Sequence, residues 1–338
     1  MHYFYSKYIN GENTMNKSTL IFCFFLCIAL SSYARHRKQI YVLTDISTVT
    51  AVEGEPDDTE SLIRLLLYAD CFEIKGIGAT YSSFKNNIYP QHIHTVINAY
   101  EQSVEQLRRF GPYPSGDKLH QLVKSGNPQR GVQHIGERKD TQLSEHLAKT
   151  IMENKKTLWI LVWGGCLDLA QALWKIEKNL SKEKLRKCMS NLHILAIDDQ
   201  YDTCGQWIRK RFPELHYITN YCSFRGMYRF GDESLSSKEW VEENIKSIDA
   251  PLAILYPVYQ GGDPWGNVSG LKEGDTPSFL YLLHKRWGGI FYRIKGTNHY
   301  EDGSKKNVRD LAENIAKYRH EFQKDFAERI KRLIICTK

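Results

Sequence analysis

From residue 39 onward two kinds of apolar run alternate along the chain. Short continuous runs at Gln39–Asp45 (QIYVLTD), Phe72–Thr80, Thr157–Trp163 (TLWILVW), Leu192–Ile197 and Leu215–Ile218 predict buried strands. Between them lie stretches with apolar residues at helical spacing. These are Asp57–Ala69, where Leu62, Ile63, Leu65 and Leu66 recur, then Ile88–Phe110, Thr141–Glu153 and Leu167–Ile176. Pro56 suits the start of the first helix. Strands separated by helices predict an α/β fold, with a mostly parallel central sheet and helices on both faces. Residues 35–338 contain no long linker, repeat or low-complexity tract, so they read as a single domain.

A parallel sheet places ligands outside the carboxyl ends of its strands. Asp45, Thr80 to Ser83, Trp163 to Gly165 and Asp198 to Asp202 all fall at such ends. The acids are the most telling. Asp45 closes the first strand, and Glu53, Glu55, Asp57, Asp58 and Glu60 follow with no basic residue among them. Helix capping needs one acid, and this stretch has several. Like charges this close need a cation, a shared proton or full exposure to water. Hard oxygen ligands without a His/Cys cluster favour calcium ahead of magnesium, and argue against zinc.

Composition narrows the class. Hydrophobic residues at 42% and charged residues at 25% are those of a soluble globular protein. The net charge of +7 has no nucleic-acid motif behind it; the basic run Arg329-Ile330-Lys331-Arg332 reads as a solvated face, and an acidic site would repel phosphates. At the other end, Met15-Asn16-Lys17 leads into LIFCFFLCIAL and then Ser31-Ser32-Tyr33-Ala34. A basic start, a short apolar core and a small-residue exit predict a signal peptide over residues 1–34, with Met15 as an alternative start. The apolar run is short for a membrane span, so the mature chain is expected in the periplasm or outside the cell, with no span after cleavage. The cysteines beyond the signal, Cys71, Cys166, Cys188, Cys204, Cys222 and Cys336, form no C-x-x-C pair, and their spacing assigns no disulfide.

Thr44-Asp45 followed by Pro56-Asp57-Asp58 and an apolar helix resembles the acidic motif of nucleoside hydrolases, written D-T-D-P-G-I-D-D. The segment from Leu161 to Ala170 looks like their glycine-containing strand–helix turn. Closer still is the likeness to exported nucleoside hydrolase-like proteins described as cellulose-binding. EPDD with SLIRLLLY, IDDQYDTCGQWIRKRFPEL and KEGDTPSFLYL carry it over most of the mature chain. The resemblance implies a calcium site from Asp45, Asp58, Asp275 and the Trp163 carbonyl. It implies catalytic roles for Asp45, near the attacking water, and for Asp57, which binds sugar hydroxyls. Ser82, Asp199, Gln200 and Trp207 join Asp57 as expected substrate contacts. The implied activity is calcium-assisted hydrolysis of an N-ribosyl or related glycosidic bond through an oxocarbenium-like transition state. The alternative is a non-catalytic carbohydrate-binding protein that uses the same acidic pocket. Either takes a sugar-containing small molecule or glycan; a homo-oligomer stays open.

Two features depart from the enzymes. The loop between Asp45 and Asp57 is longer, and Gly274 stands where they commonly carry a histidine that helps the base leave. His299 is a substitute candidate, set against a surface role. Asp198 and Asp202 are candidate hydroxyl ligands or loop acceptors, and Arg209, Trp265 and Trp287 are candidate pocket residues or packing. Asn267-Val268-Ser269 matches a glycosylation sequon.

Overall fold

The computed structural model describes residues 37–50, 55–200, 204–264, 266–303 and 307–334. Its strands are β1 Lys38–Thr44, β2 Phe72–Ala79, β3 Val123–Ser125, β4 Leu158–Val162, β5 Leu192–Ile197, β6 His216–Asn220, β7 Tyr259–Asp263, β8 Gly266–Gly270, β9 Tyr292–Arg293 and β10 His299–Glu301. Eight of them form one sheet in the order β3-β2-β1-β4-β5-β6-β10-β9, and β7 and β8 pair separately as a hairpin. All pairs in the large sheet are parallel except β9 on β10. Val42 pairs with Ile77 on one side and Leu161 on the other. The chain thus builds outward from β1 to β3, then returns across β1 to lay down β4. The order reverses between β1 and β4, which opens a crevice at their carboxyl ends.

Alternation along β1 assigns its two faces. Ile40 and Val42 join a core with helices α1 (Asp57–Leu67) and α2 (Pro90–Glu101). Tyr41 and Leu43 join a second core with α3 (Gln142–Glu153), α4 (Leu167–Asn179) and α5 (Cys204–Arg211). Burial on both faces is why these strands read as unbroken apolar runs. Three later helices, α6 (Pro277–Leu283), α7 (Val308–Ala316) and α8 (Arg319–Ile330), supply Phe279, Ile315, Phe322 and Phe326 to the first core.

One predicted element is corrected. Ile88–Phe110 is not one helix: α2 ends at Glu101, and a short turn of helix restarts at Val104–Leu107. Pro90 sits in the first turn and keeps the preceding residues out of helical backbone. Ser103 leaves the helical region (φ −118°, ψ 3°), so the apolar spacing continues while the backbone does not. The signal segment 1–34 with Met15, and Glu53, Asp202, Trp265 and Cys336, lie outside the described residues. Among the described residues no helix is long and apolar enough to cross a membrane, and the described cysteines form no disulfide.

Candidate functional site

β1 delivers Asp45 to the crevice, and α1 points its first turn at the same place. Thr44 fixes the relation between them. Its hydroxyl donates to Asp58 Oδ1 and accepts from the Ile46 amide. Asp45 and Asp58 lie close enough that each bears on the other's charge. Asp57 Oδ1 accepts from the Asp58 amide at 3.0 Å, which holds the two neighbouring carboxylates in a fixed relation. β4 closes the other wall. A Cβ at Gly164 would lie 2.4 Å from the Asp45 carboxyl, so only glycine lets the carboxylate lie against this turn.

Asp275 arrives from far along the chain, and the first two turns of α1 explain how. Thr59, Glu60, Ser61 and Arg64 are all fully buried there, an unusual run of polar residues. Each is tied to another part of the fold, three of them to residues 272–276. Glu60 accepts the Lys272 amide at 2.6 Å, the Thr276 hydroxyl donates to Ser61 at 3.1 Å, and Arg64 pairs with Glu273 at 2.7 Å. Thr59 donates to the Thr48 carbonyl and so holds the loop after β1. From the sheet, the Trp163 indole donates to Ser278 at 2.8 Å, whose hydroxyl donates to the Asp275 carbonyl at 2.6 Å. Asp57, Asp58 and Asp275 consequently offer carboxylate oxygens that all lie within 4.8 Å of one another.

The electrostatics follow from this convergence. Burial, then repulsion from Asp58, Asp57 and Glu55, holds Asp45 well above the usual carboxylate range. Burial, then Glu55 and Asp58, does the same to Asp57. Burial raises Asp58 to about 7, although the Thr44 hydrogen bond works against it. Asp275 is raised by burial and by Asp58, Asp57 and Asp45. The nearby cation is Lys272, paired with Glu55. Burial opposes its charge, but Asp57 and Glu55 more than offset that and strengthen its hold on its proton.

Does this set suit a divalent ion? Asp275 Oδ2 is buried without a hydrogen-bond partner among the described residues, a costly arrangement for a carboxylate. Its neighbours are hard oxygen donors, with neither histidine nor cysteine in the group. The cluster could coordinate a hard divalent cation.

The other expected residues divide. The Trp163 carbonyl faces the crevice, where Gln200 Nε2 donates to it at 2.8 Å. Ser82 is buried, its hydroxyl accepting from the Phe84 amide at 3.3 Å in a local turn. The Asp199 carboxylate is engaged by Arg209 and by the Tyr217 hydroxyl at 2.9 Å. Trp207 lines a different groove, shared with Trp174, Glu177, Lys178 and Arg211. His299 is 4% exposed; its Nε2 meets the Phe212 carbonyl at 3.1 Å, and the ring packs on Tyr217. Trp287 donates to Glu321 at 3.0 Å. Gly274 does face the acids: a Cβ there would lie 3.3 Å from Asp57 Oδ2 and 3.5 Å from the Phe224 ring. Sequence reasoning missed Thr44, Lys272 and Phe224. The buried polar run on α1 was the available signal, because a helix face that is polar yet predicted to face the sheet demands partners.

An open, largely parallel sheet with acids gathered at its switch point defines a nucleoside hydrolase-like α/β protein. A family model described as cellulose-binding Sde182, nucleoside hydrolase-like domain, matches residues 39–291. The chain belongs to that family. Among solved structures, it is similar to a nucleoside hydrolase-related protein from Saccharophagus degradans that is associated with carbohydrate metabolism. That match has 24% identity and a TM-score of 0.71, covering 88% of this chain and 72% of that one. An inosine-uridine preferring nucleoside hydrolase from Bacillus anthracis shares the fold at 12% identity and a TM-score of 0.51, covering 86% of this chain and 99% of that one. No curated protein sequence matches the chain.

Proposed function

We propose that the crevice recognises a carbohydrate through a divalent cation, calcium ahead of magnesium, in a protein exported from the cytoplasm. Asp45, Asp58, Asp275 and the Trp163 carbonyl would hold the ion, and Asp57 would take sugar hydroxyls. An ion bound there would offer coordination to sugar hydroxyls. The observation that carries the reading is the buried, unpartnered Asp275 Oδ2 facing two further carboxylates. The family's description as cellulose-binding supports the same ligand class.

Recognition without turnover is the stronger form of the proposal. The candidate donors for a leaving group are poorly placed: Gly274 has no side chain, His299 is turned into the sheet edge, and Lys272 is held by Glu55. Hydrolysis of an N-ribosyl or related bond is the second reading. Its support is the adjacent pair Asp45 and Asp58, whose raised proton affinity suits taking a proton from water, with Asp57 orienting the sugar.

The test is calorimetric titration of chelator-treated protein, first with calcium chloride and then with monosaccharides, alongside reducing-sugar release from nucleosides and glycosides. Calcium binding that disappears in Asp58→Asn and Asp275→Asn, followed by calcium-dependent sugar binding, supports recognition. Steady sugar release that Asp58→Asn abolishes would move the conclusion to hydrolysis. A folded wild type that binds no calcium sinks both.

A further inference from the structure

A groove of about 470 Å³ opens between α4 and α5, on the face of the sheet opposite α1, and its volume is within the range of ligand sites. Trp174, Glu177, Lys178, Trp207 and Arg211 line it. The helices that carry them follow β4 and β5, which are parallel neighbours, so they lie side by side and run the same way. Trp174, Glu177 and Lys178 share one face of α4 at i, i+3 and i+4, and Trp207 and Arg211 share one face of α5 at i and i+4. Arg211 fixes the relative height. Its Nε reaches both Glu177 oxygens, at 2.9 and 3.0 Å, and its Nη2 reaches Oε1 at 2.9 Å. One turn before that pair each helix carries its tryptophan, so the two indoles stand at one level and the ion pair closes one end of the groove.

These side chains are held in place without being covered. Trp207 packs edge-on with Phe212, ring centroids 6.3 Å apart, and both tryptophans stay partly exposed. The indoles of Trp163 and Trp287 donate to Ser278 and Glu321, whereas those of Trp174 and Trp207 have no hydrogen-bond partner among the described residues. The Lys178 ammonium stands 5.3 Å over the Trp174 ring. Its ion pair with Glu137, at 3.5 Å, joins two side chains that are each more than half exposed, so it restrains Lys178 only weakly.

The wall chemistry selects the ligand. It offers donors: two indole N–H groups, the Lys178 ammonium, and the Arg211 Nη1 that the bonds to Glu177 leave over. Glu177 is the one acceptor side chain in the wall, and both of its oxygens are taken by Arg211. Sugar hydroxyls donate as well as accept, so a wall of donors suits them poorly. A carboxylate only accepts, and it gains charge-assisted bonds from a guanidinium or an ammonium. Indoles on both walls favour a flat ring, because stacked and edge-on contacts reward aromaticity beyond the area buried. We propose that this groove binds a small aromatic carboxylate of one or two rings, at a site separate from the acids and independent of how they are read.

The experiment is titration with 2-naphthoate, followed by tryptophan fluorescence and by calorimetry. Three comparison ligands separate the features of the probe. 2-Naphthylmethylamine keeps the rings and reverses the charge, decahydro-2-naphthoate keeps the charge without the aromatic rings, and glucose tests for a sugar. Saturable binding of 2-naphthoate is expected with a dissociation constant of about 1 mM or tighter, a modest affinity for a ligand of this size. It should exceed the affinity for each of the other three by about tenfold or more. Trp174→Leu and Arg211→Gln, both at partly exposed side chains, should each weaken it about tenfold, with native circular dichroism as the check on folding. Excess calcium should leave it unchanged. No saturable binding, equal binding of the amine or of glucose, wild-type affinity in either folded variant, or displacement by calcium would overturn the proposal.

Discussion

Replacing Asp58 by asparagine should make the metal-free protein more stable at neutral pH, although it removes a residue at the centre of the site. Asp58 is fully buried, and its pKa stands at about 7 against an ordinary 3.8. A carboxyl raised in the folded state stabilises the fold while protonated. That stability is present at low pH and is lost as the pH rises towards the folded value. The window is therefore about pH 4 to 7. At 1.36 kcal/mol for each pH unit, wild type should lose about 4 kcal/mol across it relative to Asp58→Asn. For a folded region of this length that corresponds to about 6 °C in midpoint. The amide keeps an oxygen to accept from Thr44, so the comparison isolates the charge. Calcium should close the gap at pH 7.5, stabilising wild type by about 4.1 kcal/mol at a thousand times its dissociation constant and leaving the variant unmoved. The assay is thermal unfolding from pH 4 to 8, in chelator and in calcium. Parallel curves for the two proteins in chelator would refute the reasoning, as would a wild type that gains on the variant as the pH rises.

Other substitutions test the parts of the frame. Arg64→Met leaves Glu273 buried without its partner and should cost about 3–5 kcal/mol in denaturant unfolding; a loss under 1 kcal/mol would show that the pair does not tie α1 to the Asp275 segment. Gly164→Ala should lower calcium affinity about tenfold or more while circular dichroism stays native, because the new methyl displaces the Asp45 carboxyl. Unchanged affinity there would remove Asp45 from the ligand set. Trp163→Phe loses the indole bond to Ser278 and should cost at least about 1 kcal/mol, with weaker calcium binding as Asp275 loosens. A variant with wild-type stability and calcium affinity would mean that the Ser278 contact does not position Asp275.

The sequence by itself determined the central strands, the helices packed on them and the acids at the end of β1 and the start of α1. Those features repeat over short stretches, so apolar periodicity and local charge record them directly. Gly274 and the long loop after Asp45 were legible departures from the enzymes for the same reason. Only the tertiary structure decided which distant residues complete the site. Asp275 reaches Asp57 and Asp58 because Arg64, Glu60 and Ser61 tie α1 to residues 272–276, and no local spacing encodes such contacts. It also drew Asp199 into a pair with Arg209, turned His299 into the sheet edge and set Trp207 in another groove. The two- and three-residue strands β9, β10 and β3 were equally hidden, since strands so short are held by pairing with a neighbour and not by a pattern of their own.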